Sequence, residues 1–137
     1  MLARRQAGSA LARIEISRIG IDAIVAEGTT TRTLRRAVGH IAGTALPGSR
    51  GNVGIAGHRD TFFRGLQGIR INDEIALTTV DASYRYRVDS ISIVGPEATA
   101  ELDDSGGEAR LTLVTCYPFY FVGPAPKRFI VRAHLER

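Results

Sequence analysis

The chain has 137 residues, of which 44% are hydrophobic and 23% charged, so it is long enough for one domain with a buried core. Its formal net charge of +4 comes almost entirely from arginines scattered along the chain, with Lys127 the only lysine, and this scatter does not indicate nucleic-acid binding. The single cysteine, Cys116, excludes an internal disulfide and a multi-cysteine metal site.

The N-terminal end has neither a membrane-spanning run nor the apolar centre of a signal peptide. No stretch reaches the roughly 18 apolar residues needed to span a bilayer, and the first residues are polar and include Arg4 and Arg5. Residues 1–11 are predicted to be a disordered lead-in, and residues 12–137 the folded domain. Either the protein is cytosolic, or an export anchor is missing from this end.

The predicted elements are mostly short strands, indicated by alternating polar and apolar residues or by β-branched runs. Asp60 is predicted to cap a single helical turn, and glycine and proline mark the loops. In chain order the elements are strands at residues 12–17 and 21–26, a short helix at 34–37 capped by threonines 29–31, a loop at 39–51, a strand at 52–58, a helical turn at 63–66, strands at 74–80 and 84–94, a loop at 95–108, a strand at 110–115, a loop at 117–127 and a strand at 128–135. Seven or eight strands with little helix predict a mostly β fold, either a sandwich or a closed barrel, because an open sheet of this size leaves unpaired edges.

Three polar residues with complementary chemistry end or begin predicted strands: His58, Cys116 and Arg128. A thiolate can attack a peptide carbonyl and form a thioester, an imidazole can protonate the departing amine, and a guanidinium can stabilise the developing oxyanion or bind the substrate carbonyls. Moving a proton from a free thiol to a free imidazole in water costs about 2.7 kcal/mol. We therefore expect the Cys116 thiol and the His58 imidazole both to be neutral at rest unless neighbouring groups favour the charged pair. We assign Arg128 mainly to stabilising the oxyanion.

Taken separately, each of these residues also has a structural interpretation. A cysteine after an apolar strand is commonly a core residue, and a lone histidine or arginine is commonly a surface group. The residue types alone therefore leave open a non-catalytic β-barrel binding module with a buried, inert cysteine.

The order and context of the three residues favour the enzyme. Residues 111–116, Leu-Thr-Leu-Val-Thr-Cys, resemble the TLXTC signature of the sortase family. Residues 51–60 resemble the strand that leads to the family's catalytic histidine, and residues 127–133 resemble the strand that opens with its catalytic arginine. The resemblance runs from Ile14 to the C-terminus. The segment Cys-Tyr-Pro-Phe and the proline-rich run after it resemble the compact class D.

The resemblance implies a closed, eight-stranded, sortase-type β-barrel with one or two short helices. It implies His58 as general acid and base, Cys116 as nucleophile and Arg128 as stabiliser of the oxyanion or substrate, with no cofactor or metal. The expected activity is a cysteine transpeptidase that cleaves a Leu-Pro-X-Thr-Gly-like signal of secreted surface proteins after threonine. The acyl group then passes to an amine such as a peptidoglycan precursor or a pilin. The family is anchored at the extracytoplasmic face of the cell membrane, so we interpret this chain as one whose N-terminal anchor is missing.

Other residues compete for the same roles. His134 is expected to point to solvent or core, and His40 to line a groove without catalysing. Asp60 is expected to cap a helical turn, with orientation of His58 as its alternative role, and Arg59 is expected to point away from His58 if that strand is extended.

Other site types fit the residues less well. Papain-like enzymes place cysteine before histidine, which is the reverse of the order here. An L,D-transpeptidase needs a histidine and glycine just ahead of its cysteine, where this chain has Val114 and Thr115. A metal site made of Cys116, His58 and Asp60 lacks metal-ligand spacing.

Overall fold

The computed structural model describes residues 8–96, 107–117, 119 and 125–136. These ranges form eight strands, one short helix and two 3-10 turns. In chain order the elements are β1 Ala10–Ile16, a 3-10 turn Ser17–Ile19, β2 Ile21–Glu27, α1 Thr31–Leu34, β3 Val38–His40, β4 Gly51–Ala56, a 3-10 turn Arg64–Gly68, β5 Glu74–Thr78, β6 Ser83–Val94, β7 Ala109–Tyr117 and β8 Lys127–Leu135. No helix within the described ranges is long and apolar enough to cross a membrane.

The strands close into a barrel in the order β1-β2-β3-β4-β7-β8-β6-β5, and β5 pairs with β1. The β2–β3 and β4–β7 pairs are parallel, and the other neighbouring strands are antiparallel. The predicted closed, eight-stranded barrel is therefore confirmed. Closure pairs the strand edges that an open sheet would leave exposed.

The core fills the barrel interior with the alternate residues of each strand, because successive side chains point to opposite faces. Its fully buried members include Ile14, Ile16, Val53, Ile55, Ile75, Leu77, Tyr86, Val88, Leu111, Leu113 and Val131. The residues between them point to the outer face, where some, such as Asn52 and Thr112, are still buried, while those at one end of β7 and β8, such as Cys116 and Arg128, are partly exposed.

The predicted loop over residues 39–51 is wrong at its start, because β3 (Val38–His40) is a strand. This strand takes hydrogen bonds from both neighbours, pairing parallel with β2 and antiparallel with β4. Glycine is typical of loops, but Gly39 lies in a strand and allows the backbone at Gly28 to approach closely. A Cβ at this position would meet the carbonyl oxygen of Gly28. The pairing partners of so short a strand are distant in sequence, so the local pattern does not reveal it.

The first elements also begin earlier than predicted. β1 begins at Ala10, and the backbone N–H of Gly8 donates to the Glu27 carbonyl at 2.7 Å. Residues 8–11 of the predicted lead-in therefore belong to the paired sheet, and residues 1–7 lie outside the described residues. The short helix runs over 31–34 rather than 34–37, because the Thr30 hydroxyl accepts from the Thr33 N–H and starts it there.

An ion pair joins two loops at one end of the barrel. The Arg18 guanidinium donates to both carboxylate oxygens of Asp73, at 2.6 and 2.7 Å, and the Arg70 N–H donates to one of them at 2.8 Å. These hydrogen bonds lower the pKa of the buried Asp73, and the bond from Arg18 has the largest effect. Burial of the carboxylate acts in the opposite direction. Because the carboxylate is the bonded form, the pair stabilises the fold above the ordinary pKa of an aspartate, about 3.9, and loses effect as pH falls below it.

We expect Asp73→Asn to lower the free energy of unfolding by about 1–3 kcal/mol at pH 7, because it weakens charged hydrogen bonds to a buried acceptor. Urea titrations of wild type and variant from pH 7 down to pH 2.5 should show that the difference shrinks below about pH 4. The exposed Asp81→Asn is the control and should show little difference at any pH. A difference for Asp73→Asn that stays constant over this range would contradict the assignment.

Candidate active site

Cys116 and Arg128 are direct cross-strand partners at the end of β7 and the start of β8. Their neighbours Thr115 and Phe129 are buried, so Cys116 and Arg128 are on the outer face of the sheet. Directly opposite residues of an antiparallel pair have Cβ atoms about 4.5–5.5 Å apart. The thiol and the guanidinium therefore project from adjacent positions on one surface.

His58 follows β4, which runs parallel to β7 on the side away from β8. Ala56 pairs with Val114, and the Gly57 N–H donates to the Val114 carbonyl at 3.1 Å. Continuing this register by two residues places His58 level with Cys116. The three predicted residues therefore stand on three adjacent segments of the barrel, with Cys116 in the middle.

A buried hydrogen bond ties the histidine segment to the cysteine strand. The Thr115 hydroxyl donates to the Gly57 carbonyl at 2.8 Å, and Thr115 is buried. Each residue of this bond is the immediate chain neighbour of a predicted site residue, Cys116 or His58. The bond therefore fixes the separation of the backbones that carry the thiol and the imidazole.

The turn after His58 folds back onto the core and holds the histidine backbone. The His58 carbonyl accepts from the Phe63 N–H at 3.2 Å, and the Phe63 ring is fully buried. A Cβ at Gly57 would lie 2.7 Å from the Phe63 ring and 2.9 Å from Val38. Glycine is therefore required just before His58, because the ring packs against its backbone.

An aromatic cluster, made of Tyr117, Phe119 and Phe129, includes the residues that directly follow Cys116 and Arg128 in the chain. Ring centroids are 5.2 Å apart for Phe119–Phe129 and 6.1 Å apart for each pair with Tyr117. Such contacts contribute about 0.5–1.5 kcal/mol per pair beyond area burial. Sequence reasoning missed this cluster, although the alternation of β7 and β8 would have placed Tyr117 and Phe129 on the inner face.

The Arg128 side chain is partly buried and bonds to backbone just before its own strand. Its Nη1 donates to the carbonyls of Lys127 at 2.9 Å and Ala125 at 3.3 Å. A guanidinium carries five N–H donors, so these bonds leave donors that can face the outer surface.

Cys116 and His58 are both partly exposed. A binding module with an inert cysteine required a buried thiol, and the structure does not place Cys116 in the core. The arrangement puts a thiol between an imidazole and a guanidinium, which are groups that acyl transfer can use as nucleophile, proton carrier and oxyanion donor.

A family model described as the sortase domain matches residues 14–136. The chain belongs to the sortase family. It is 32% identical over 126 residues to Sortase D of Bacillus subtilis, covering 92% of this chain and 64% of that protein. It is 34% identical over 84 residues to Sortase A of Streptococcus agalactiae, covering 61% of this chain and 32% of that protein. The chain thus spans less than two thirds of the length of these relatives.

Solved sortase structures share the fold. The Sortase D5 transpeptidase of Clostridium perfringens superposes with a TM-score of 0.89 at 33% identity, covering 98% of this chain and 83% of that one. Sortase A of Corynebacterium diphtheriae gives a TM-score of 0.87 at 34% identity, covering 98% of this chain and 63% of that one. The expected resemblance to the sortase family, and within it to class D, is confirmed.

The other polar residues considered for the site either lie elsewhere in this sortase-family barrel or have other contacts. His134 is exposed, as expected, and its Nδ1 lies 3.1 Å from Asp89. Asp60 is exposed in the turn after His58 and does not cap the following 3-10 turn, whose N-cap is Phe63 with no side-chain bond. The capping prediction is therefore wrong, because the chain turns before the 3-10 segment begins. Arg59 lies in that same turn, beyond the extended strand on which its orientation was expected to depend.

His40 is buried and holds a loop rather than lining an open groove. Its Nδ1 lies 3.1 Å from the Glu27 carboxylate and its Nε2 lies 2.8 Å from the Ala45 carbonyl. Both ring nitrogens thus face acceptors, and the imidazole joins β2, β3 and the loop before β4. The prediction that His40 lines a groove is wrong, because these contacts bury its ring.

We expect His40→Ala to lower the free energy of unfolding by about 1–3 kcal/mol, because it removes a buried ring and leaves its partly buried acceptors without their donor. Turnover of a peptide substrate by the folded fraction should stay near that of the wild type. Thermal denaturation and peptide kinetics on the same sample separate the two effects, with the exposed His134→Ala as the control. A stable His40→Ala protein without turnover would instead place His40 in the chemistry.

No group of three or more histidine, cysteine or acidic side chains that could hold a metal occurs in residues 8–96, 107–117, 119 and 125–136. The conceivable site of Cys116, His58 and Asp60 is therefore not formed as a cluster of ligands.

Proposed function

We propose that the chain is a cysteine transpeptidase that cleaves a Leu-Pro-X-Thr-Gly-like sorting signal after threonine, through a thioester on Cys116, and transfers the acyl group to an amine. The observation that carries the proposal is the register across three segments. Arg128 is the cross-strand partner of Cys116, and β4 runs parallel beside β7 up to the level of His58.

In the first half-reaction the Cys116 thiol gives its proton to His58. The resulting thiolate attacks the threonine carbonyl carbon and an oxyanion forms. Arg128 donates hydrogen bonds to that oxygen, with guanidinium donors that suit a developing negative charge. The tetrahedral intermediate then collapses, the carbon–nitrogen bond breaks, and the protonated His58 gives its proton to the departing glycine amine. The products are a free amine and an acyl thioester.

In the second half-reaction an acceptor amine attacks the thioester carbonyl and His58 takes its proton. The carbon–sulfur bond breaks and the thiolate of Cys116 returns, so the cycle consumes no cofactor. Water in place of the amine gives hydrolysis. The barrel holds the Cys116 thiol and the His58 imidazole on adjacent segments. Proton transfer between these two groups therefore needs no bimolecular encounter.

The substrate and acceptor classes follow from membership of the sortase family. We infer a sorting peptide of a secreted surface protein as donor, and an amine of a peptidoglycan precursor or a pilin as acceptor. We infer that the enzyme acts at the extracytoplasmic face of the cell membrane, since both of these substrates occur there.

A peptide library with varied residues at the second and third positions of the motif tests the activity. We expect cleavage between threonine and glycine, and a ligated product when glycine oligomers or other primary amines are added. The matched control is the same library with alanine in place of threonine. Cleavage at unrelated bonds, or none in any member, would contradict the proposed reaction.

Accessibility of the thiol separates the enzyme from a binding module. Because Cys116 is partly exposed, a charged, water-soluble thiol reagent should modify it in the folded protein. A thiol that reacts only after denaturation would favour the module.

A further inference from the structure

A groove of about 580 Å³ lies between α1 and the outer face of β1 and β2, away from the site described above. Its floor is apolar and includes Ala10, Ile24, Ala26 and Ala37. The Ile24 side chain is 48% exposed, whereas most large apolar residues of the barrel are buried. The volume falls within the range of sites that bind small ligands.

The rim of this groove is basic. Arg32 and Arg36 line it and Arg35 is next to them, and all three are exposed. A guanidinium binds phosphate oxygens with two parallel hydrogen bonds. The rim therefore suits an anion that belongs to a partly apolar molecule.

The two acidic residues of β2, which borders the groove, are engaged by partners other than the rim arginines. Asp22 accepts from Arg13 at 2.6 and 2.8 Å. The Glu27 carboxylate lies 3.1 Å from the His40 ring. Within the described residues no ion pair involves Arg32 or Arg36, so their positive charge is available to an external partner.

A peptide occupant fits less well than a lipid. β1 and β2 are each paired on both sides within the closed barrel, so neither offers an edge to which a peptide strand could be added. A lipid needs no backbone partners, since it presents an acyl region to the apolar floor and a phosphate to the rim. We propose that this groove docks the protein on an anionic lipid surface.

The proposed docking surface leaves the face that carries Cys116 open. In the barrel order, β3 and β4 separate β2 from β7, and neighbouring strands are about 4.8 Å apart. A membrane against the groove would therefore lie on a different side of the barrel from Cys116. The inference does not depend on the proposed transpeptidase activity.

Sedimentation with vesicles of phosphatidylglycerol and phosphatidylcholine, against pure phosphatidylcholine, tests the proposal. We expect binding to the anionic vesicles only. Arg32→Gln/Arg36→Gln should weaken it about 25-fold, because each arginine near an anionic leaflet strengthens binding about fivefold. Ile24→Ser should also weaken binding but leave its salt dependence unchanged, since it removes only apolar contact.

Arg50→Gln/Arg70→Gln is the matched control, because it removes the same charge from exposed positions outside the groove. It should retain most of the binding, and all variants should keep the wild-type thermal midpoint. Equal losses in the two double variants, or no preference for anionic vesicles, would overturn the proposal. Concentration-dependent self-association that is lost only in Arg32→Gln/Arg36→Gln would assign the groove to a second copy and also overturn it.

Discussion

Cys116→Ala is expected to abolish cleavage of a Leu-Pro-X-Thr-Gly peptide, with kcat reduced by about 10⁵-fold or more, because no other group can form the acyl intermediate. His58→Ala should come close to this, with a loss of at least about 10²–10⁴-fold, since it removes the proton donor of one half-reaction and the acceptor of the other. Initial rates from separated products measure both losses.

The double variant gives a sharper result than either single change. Residues that act as a unit are not additive, so Cys116→Ala/His58→Ala should be no slower than Cys116→Ala alone. The exposed His134→Ala should keep wild-type kinetics and serves as the histidine control. Full activity in either single variant would reject the assignment of that residue, provided that circular dichroism shows an intact barrel.

Arg128→Lys is expected to lose about 10²–10³-fold in kcat, because an ammonium retains the charge but does not reproduce the guanidinium fork. If the side chain acts on the oxyanion, KM should change little, since that oxygen is charged only in the transition state. Steady-state kinetics with varied peptide concentration separate kcat from KM.

Arg132→Lys is a matched control, because it lies on the same strand and on the same outer face four residues further along. It should change kcat far less than Arg128→Lys does. A rise in KM at constant kcat for Arg128→Lys would move its role from the oxyanion to the bound substrate. Unchanged kinetics would remove Arg128 from the mechanism.

Much of the barrel could be predicted from sequence because most strands carry their own pattern. The first half of β6 alternates between more buried and more exposed residues, and β7 and β8 carry β-branched or apolar runs. β3 could not be predicted in this way, because its bonds come from β2 and β4 rather than from its own three residues. The same applies to α1, whose start depends on which threonine accepts from the backbone.

The candidate site, too, could be predicted from the sequence only in part. The residue types and their order indicate acyl transfer, but the meeting of His58 with Cys116 rests on the parallel pairing of β4 with β7, which are more than fifty residues apart. No local pattern reports such a pairing. The Thr115–Gly57 bond and the contact of Phe63 with Gly57 likewise appear only once the chain is folded.

The aromatic cluster and His40 show the limits of reading single residues. Phe129 follows Arg128 directly, yet its packing on Tyr117 depends on the antiparallel register of β7 and β8. The sequence around His40 fits a residue that lines a groove as well as one that holds a loop. Only the contacts of its buried ring with Glu27 and Ala45 reveal the structural role.

Mass spectrometry of the intact protein, mixed with a Leu-Pro-X-Thr-Gly peptide and no acceptor amine, tests the central assignment most directly. The account predicts a covalent adduct with the mass of the acyl fragment ending in threonine, mapped to Cys116, released by hydroxylamine and absent from Cys116→Ala. Peptide cleavage without any adduct on the sulfur, or with the adduct on another residue, would contradict it.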